Sequence, residues 1–249
     1  MPERLGNLTY LARKEKPEFT FSSLDGLQEH FIHLYARRND IYLPGRATRI
    51  DLLHRGIADL NDAIRKEANR EVLERMLARV VSRTFCIAHG TNNISVAEGL
   101  RKKFPLEGCS YCHKFPCQCG EKRPAPELGW GETFAQEGWS LKDWQNHLNK
   151  LYGEKNREKG IDYIVNRLGS ESGELISLEH DILDSTMDDI EQEYQLELAD
   201  SLAWTIAAAN FFGIDIEKAT INKYGKGCEK CGSNPCNCGP HSFKQVRGF

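Results

Sequence analysis

The sequence predicts an all-α protein that contains two helical-bundle units in tandem. Apolar residues recur at helical spacing through most of the chain, and alternating strand patterns are scarce. The stretch "SLDGLQEHFIHLYARRND" at Ser23 matches "SLKDWQNHLNKLYGEKNR" at Ser140 in seven positions without gaps. The pattern C-x2-C-x4-C-x-C also occurs twice, in "CSYCHKFPCQC" from Cys109 and in "CEKCGSNPCNC" from Cys228. The copies are offset by 117 and 119 residues, which indicates a tandem duplication.

The composition is that of an ordinary globular protein, since 40% of the 249 residues are hydrophobic and 28% are charged. A formal net charge of −3 argues against generalised binding to nucleic acid or to an acidic membrane surface. The longest apolar stretch, from Leu202 to Ile214, is too short to cross a bilayer, and the N-terminus lacks the apolar core of a secretory signal. We therefore expect a soluble, cytoplasmic protein without a membrane partner.

Composition and the repeat divide the chain into segments. An N-terminal extension, 1–19, precedes the first unit, 20–120. A linker rich in Gly and Pro, 121–138, leads to the second unit, 139–239, and a tail follows it. The tail covers 240–249.

Four helices are predicted in the second unit. Ser140 is a good N-cap for the first, which carries Leu141, Trp144, Leu148 and Leu151 on one side. The second is expected over about 162–184 and the third over about 190–212, each with an apolar stripe at helical spacing. The fourth begins after Gly213 with Asp215 as its cap and ends at Gly225 and Gly227. Helical patterns throughout the unit, with few alternating strand patterns, favour bundle-like packing.

Two pairs of carboxylates lie on neighbouring predicted helices. Glu171 and Glu174 are three residues apart and so project from one face, and Glu197 and Asp200 repeat that spacing on the next helix. If the helices are antiparallel neighbours, all four groups converge, and oxygen donors without sulfur or imidazole suit Mg²⁺ or Mn²⁺. The alternative is an acidic helix face exposed to solvent.

The same residues resemble a known family. "LGSESGELISLE" followed by "ELADSLAWTIAAANFFGIDIEKA" is similar to the MazG-like nucleoside triphosphate pyrophosphohydrolases, whose motifs are E-E-x-x-E and E-x-x-D. Glu171 and Glu174 match the second and third acidic positions of the first motif, and Glu197 and Asp200 match the second motif. Ser170 stands where the family has its first glutamate, so whether one or more Mg²⁺ ions bind stays open.

The resemblance implies Mg²⁺-dependent attack of water on the α-phosphorus of a nucleoside triphosphate, which releases pyrophosphate and a monophosphate. Glu171 and Glu174 are then the expected catalytic residues, with Glu174 as the group that takes the proton of the water. The segment "KATINKYGK" is similar to the part of the family that faces the triphosphate. Its matching positions are Lys218, Asn222 and Lys226.

Aromatic and amide side chains of the second unit are candidates for binding the base. Trp144 and Asn156, together with Tyr152 and Trp204, could form a pocket, because aromatic faces stack on bases. Trp144 and Trp204 could equally belong to the core, and we expect this especially for Trp204. The sequence does not distinguish among bases or sugars.

The first unit has lost half of the acidic pattern. Gly56, Asp59, Glu74 and Leu77 stand opposite Glu171, Glu174, Glu197 and Asp200. Two of the four oxygen ligands therefore remain, and we expect a catalytically silent unit. Since enzymes of the family work as dimers or larger assemblies, the tandem chain is expected to form an intramolecular pseudodimer, and further homodimerisation stays open.

The cysteine patterns predict two closed metal sites. Four thiolates within eleven residues can surround one tetrahedral Zn²⁺, and thiols of a reducing compartment favour a metal over disulfides. An iron–sulfur cluster is the alternative, and disulfides rank third. The rival to an enzyme is a non-catalytic, zinc-bearing helical protein that binds nucleotides or acts as an adaptor. The expected zinc ligands are Cys109, Cys112, Cys117, Cys119, Cys228, Cys231, Cys236 and Cys238.

Overall fold

The structure is a computed structural model that describes residues 21–43, 45–91, 94–120, 124–129, 134–181 and 187–239. These residues form eight α-helices and one 3₁₀ turn, and they contain no strand, which confirms the predicted all-α class. None of the described helices combines the length and hydropathy that a membrane span requires. The helices are α1 (Leu24–Tyr42), α2 (Arg46–Arg65), α3 (Arg70–Ile87), α4 (Val96–Lys103), α5 (Leu141–Lys159), α6 (Ile161–Asp181), α7 (Met187–Phe211) and α8 (Ile216–Tyr224).

Helix starts follow the local sequence. The Ser140 hydroxyl accepts a hydrogen bond from the Asp143 N–H, and the Asp143 carboxylate accepts one from the Ser140 N–H, which completes a capping box at α5. Asp215 caps α8 as predicted by accepting a hydrogen bond from the Lys218 N–H at 3.0 Å. The predicted extension 1–19, the tail and the expected helix end at 184 lie outside the described residues.

The two halves of the chain make the same hydrogen bonds at repeat-related positions. The Gln28 amide donates to the Ile94 carbonyl at 2.8 Å and accepts from the Val96 N–H at 3.0 Å, which fixes the start of α4. Its repeat partner Gln145 makes the same two bonds with the residues that precede and begin α8. In each half, therefore, the first helix holds the N-terminus of the fourth.

The bodies of the fourth helices are exchanged between the halves. α4 packs against α7, and α8 packs against α3. The approach of α4 to α7 is closest at Gly99, where an added Cβ would lie 2.4 Å from the Gln195 carbonyl oxygen. α2 also packs against α6, so the buried residues of both halves form one continuous core.

The two four-cysteine loops, Cys109–Cys119 and Cys228–Cys238, are exchanged in the same way. The Cys117 N–H donates to the Leu151 carbonyl of α5 at 2.9 Å. The Cys236 N–H donates to the Leu34 carbonyl of α1 at 2.7 Å, and Leu34 is the repeat partner of Leu151. Each loop therefore lies on the half of the chain to which it does not belong in sequence.

Candidate functional site

Helices α6 and α7 bring three of the four predicted carboxylates together. One carboxylate oxygen from each of Glu171, Glu174 and Glu197 lies within 4.8 Å of the others. Glu171 is buried, with 2% of its side chain exposed, Glu197 is 19% exposed, and Glu174 faces solvent. We call these three residues the glutamate cluster. Glu171 is its buried member, and Glu174 is its most exposed member.

Asp200, the fourth predicted ligand, is engaged by a lysine from the other half of the chain. The ammonium of Lys103, at the end of α4, donates a hydrogen bond to the Asp200 carboxylate and lies 3.7 Å from Oε1 of Glu197. It also donates to the Leu196 carbonyl at 3.3 Å. Sequence reasoning missed Lys103, because only the packing of α4 on α7 brings it here.

Burial and mutual repulsion favour the protonated forms of these acids. Burial, with the nearby Asp200 and Glu174 charges, raises the pKa of Glu171 to about 7, although the Arg167 guanidinium at 2.9 Å opposes the shift. Burial also raises the pKa of Glu197 to about 8, against the effect of Lys103. A cation among these oxygens would restore the ionised forms.

The glutamate cluster fits a hard divalent cation. Oε2 of Glu197 is buried and has no hydrogen-bond partner among the described residues. A buried carboxylate oxygen without a partner is costly, and a metal ion satisfies it. All the donors are oxygens, which suits Mg²⁺, Mn²⁺ or Ca²⁺ better than softer ions.

A cleft of about 870 Å³, including its open mouth, reaches the cluster at Glu171, and Asp200 also lines it. The first half of the chain contributes the wall formed by Phe104, Tyr111 and the first four-cysteine loop. The second half contributes α5, α6 and α7. The aromatic lining includes Tyr163 and Trp204, whose rings meet edge to face at 5.8 Å. The cationic lining consists of Lys155, Lys159 and Arg167.

The predicted substrate-binding residues divide between the cleft and other places. Asn156 lines the cleft, as do Tyr152 and Trp204. Trp144 is fully buried in the core instead, so of the two tryptophans it is Trp204 that reaches the cleft. The structure does not bring three other candidates to the cleft: they are exposed on or just after α8, which packs on α3. These are Lys218, Asn222 and Lys226.

The spacing of the cleft lysines along α5 could have identified them from the sequence, although the predicted site does not include them. Lys155, Asn156 and Lys159 follow Tyr152 at three, four and seven residues, so all four share one face of α5. The sequence instead predicts phosphate binding after the second acidic motif, by Lys218, Asn222 and Lys226.

The cysteines of each loop converge without disulfide bonds. All are free thiols, and within each loop four Sγ atoms lie close enough together to hold one ion. The Sγ atoms are 3.7 Å apart both for Cys109 and Cys119 and for Cys228 and Cys238. A tetrahedral zinc ion with bonds of about 2.3 Å requires sulfurs about 3.8 Å apart. The two loops could therefore hold two zinc ions.

The first loop is tied to the cleft helix α5. The Tyr152 hydroxyl donates to Sγ of Cys109 at 3.5 Å, and the Lys155 ammonium donates to the Cys119 carbonyl at 2.5 Å. A hydrogen bond from Cys117 and a second from Tyr152 lower the pKa of Cys109, which favours its thiolate, the form that a metal needs.

The repeat-related position in the first half is filled by arginine. A Cβ added to Gly56, opposite Glu171, would lie 2.6 Å from a guanidinium nitrogen of Arg83. The two remaining acids, Asp59 and Glu74, are paired with Arg79 at 3.5 Å and with Arg70 at 3.0 Å. In the described part of the first half, no acidic cluster that could hold a metal ion is found.

No protein-family model, curated protein or solved structure matches the chain. Membership of the MazG-like family thus stays a prediction from the two acidic motifs. The described residues provide a glutamate cluster, a lysine from the other half and a cleft with aromatic and cationic walls.

Proposed function

We propose that the protein is a Mg²⁺-dependent nucleoside triphosphate pyrophosphohydrolase, which converts a ribo- or deoxyribonucleoside triphosphate to the monophosphate and pyrophosphate. The observation that supports this most is the position of the glutamate cluster at a cleft lined by both aromatic and cationic side chains. Tyr163 and Trp204 offer aromatic surface to a base, and Lys155 and Lys159 offer positive charge to phosphates.

The charge balance of the site suits one divalent cation. In the ionised forms that a bound cation restores, the four carboxylates carry four negative charges. Lys103 and Arg167 supply two positive charges, which leaves two for the ion to neutralise. Ser170 adds no charge, since its exposed hydroxyl donates to the Asn166 carbonyl at 3.1 Å. Bound Mg²⁺ would neutralise phosphate charge and lower the pKa of a water molecule.

The side chains of the site accept the proton of the attacking water and compensate the charges of the metal-binding acids. The oxygen of a water molecule attacks the α-phosphorus, the bond between that phosphorus and the bridging oxygen breaks, and pyrophosphate leaves with the electron pair. Glu174, the exposed member of the cluster, accepts the proton of the water. The Lys103 ammonium offsets the repulsion between the Asp200 and Glu197 carboxylates. The Arg167 guanidinium does the same for the Glu171 carboxylate.

Pyrophosphate release from a panel of nucleoside triphosphates, with and without Mg²⁺, tests the proposal. We expect Mg²⁺-dependent release that falls at least a hundredfold in Glu174→Gln and is unchanged in Glu193→Gln, an exposed glutamate of α7 outside the cluster. No release from any nucleotide by folded, zinc-loaded protein would refute the enzyme. Binding without turnover would favour a nucleotide-binding protein.

A further inference from the structure

A second cleft, of about 630 Å³ including its mouth, is lined by residues at repeat-related positions. Tyr35, Cys228 and Cys236 line it, and their repeat partners line the first cleft. Its charged lining differs, because among the described residues it contains three arginines and no counterpart of Glu171 or Asp200. We call it the arginine cleft, after Arg38, Arg79 and Arg83.

Two of the three guanidinium groups have no carboxylate partner in the described part of the chain. The exception is Arg79, whose guanidinium lies 3.5 Å from the Asp59 carboxylate. Among the described residues Arg83 forms no ion pair, and its guanidinium donates to the Leu52 carbonyl at 2.6 Å. Arg38 likewise forms none with any carboxylate that the structure describes: it stacks over the Tyr35 ring at 3.8 Å. The arginine cleft therefore holds more positive than negative charge.

The acid that lines the cleft does not change this balance. The Glu229 carboxylate is paired with the Lys223 ammonium at 2.5 Å, so its charge is already compensated. Burial, and then the neighbouring Arg79 guanidinium, lowers the pKa of Arg83 to about 10. Like charges crowded into a partly buried space are stabilised by an anion that binds between them.

We propose that the arginine cleft binds a small phosphate-class anion, either inorganic phosphate or pyrophosphate, without a metal ion. Guanidinium groups present paired N–H donors that match phosphate oxygens. The aromatic residues of the cleft offer no open face to a base, since Tyr35 is 6% exposed and Tyr224 is 3% exposed. The site thus recognises the anion and not a nucleoside, and it stands independently of the proposed enzymatic function.

The test is calorimetric titration of the full-length, zinc-loaded chain in Mg²⁺-free buffer with phosphate, with pyrophosphate and, separately, with a nucleoside triphosphate. We expect one phosphate or pyrophosphate per chain, bound more weakly as salt rises. Arg83→Met and Arg38→Gln should each weaken binding at least tenfold. Arg75→Gln, at an exposed arginine of α3, and Glu171→Gln, in the other cleft, should leave it unchanged.

Three results would overturn the proposal. One is the absence of binding by both inorganic anions. Another is equal weakening by Arg75→Gln, which would indicate non-specific attraction. The third is binding of the triphosphate alone, which would show that the nucleoside is required. Arg38 is only half-buried, so Arg38→Gln keeps the test decisive if Arg83→Met does not fold.

Discussion

The hydroxyl of Tyr152 lies 3.5 Å from the sulfur of Cys109, and this contact joins the cleft helix of one half to the cysteine loop of the other. The backbone supports the same junction, because the Cys117 N–H donates to the Leu151 carbonyl at 2.9 Å. The first loop is thus part of the cleft wall as well as a candidate zinc site. We therefore expect zinc loss from the first loop, and not from the second, to affect the cleft beside the glutamate cluster.

Loss of zinc from the first loop should impair nucleotide binding. Cys112→Ser removes one thiol but no cleft-lining side chain, and we expect zinc to fall from two ions per chain to one and nucleotide affinity to fall at least tenfold. The matched variant Cys231→Ser should lose one zinc and keep its affinity. Metal analysis and calorimetric titration measure both, and equal loss of affinity would contradict the asymmetry.

Removal of the Lys103 charge should create room for a second cation. Without this ammonium, Asp200 has lost its partner and the site carries three uncompensated charges instead of two. We expect Lys103→Met to bind two Mn²⁺ ions where the unaltered chain binds one, as counted by electron paramagnetic resonance. Lys102→Met, which removes an ion pair with Glu98 on the same helix, is the control. Two ions in the unaltered chain would refute the charge balance.

The two tryptophans should respond in opposite ways to truncation. Trp144→Ala empties a fully buried position and should cost about 3–5 kcal/mol of unfolding free energy. Trp204→Ala should change stability less but reduce nucleotide affinity, because loss of base stacking costs about 1–3 kcal/mol. Denaturant unfolding and binding titration separate the effects, and an unchanged affinity in Trp204→Ala would place the base elsewhere.

Zinc-loaded protein without Mg²⁺ should lose stability as pH rises. Burial first, then the Asp200 and Glu174 charges, raise the Glu171 pKa from 4.5 to about 7, so the folded state keeps a proton that the unfolded chain releases. The contribution of Glu171 to stability is fully present below about pH 4.5 and is lost as pH rises through about 7. One pKa unit corresponds to about 1.4 kcal/mol, so Glu171 accounts for up to about 3 kcal/mol. Urea unfolding at several pH values measures the slope, which Glu171→Gln should flatten.

An added methyl group at Gly99 should separate α4 from α7. The new Cβ would lie 2.4 Å from the Gln195 carbonyl oxygen and 3.0 Å from the Ala199 Cβ, so the helix must shift and take Lys103 with it. We expect Gly99→Ala to reduce both stability and turnover. Gly169→Ala has no atom within 4 Å of its new Cβ and should stabilise α6 slightly. A neutral Gly99→Ala would contradict this close packing.

Features that depend on one helical turn could be predicted from the sequence. Ser140 and Asp215 cap their helices because the acceptor and the N–H that it satisfies are three residues apart. Glu171 and Glu174 share a face for the same geometric reason. The cysteine spacing likewise places four sulfurs together within one short loop.

Which copy a helix packs against could not be predicted. α4 and α8 occupy repeat-related positions in the sequence, so the apolar face of either could fit α3 or α7, and periodicity does not choose between them. Lys103 ends the basic run "RKK", which also suits the C-terminal end of a helix dipole. Its role in the site therefore becomes visible only after α4 has been placed.

The two clefts of this chain can acquire substitutions independently, although the exchanged fourth helices make each cleft depend on both halves. In an assembly of two identical chains, every substitution appears at both symmetric sites at once. Here each position is encoded separately, so one cleft has arginine beside Gly56 while the other keeps its glutamates. The first half nevertheless cannot be discarded, because deleting it would remove Lys103 and one wall of the cleft beside the glutamate cluster.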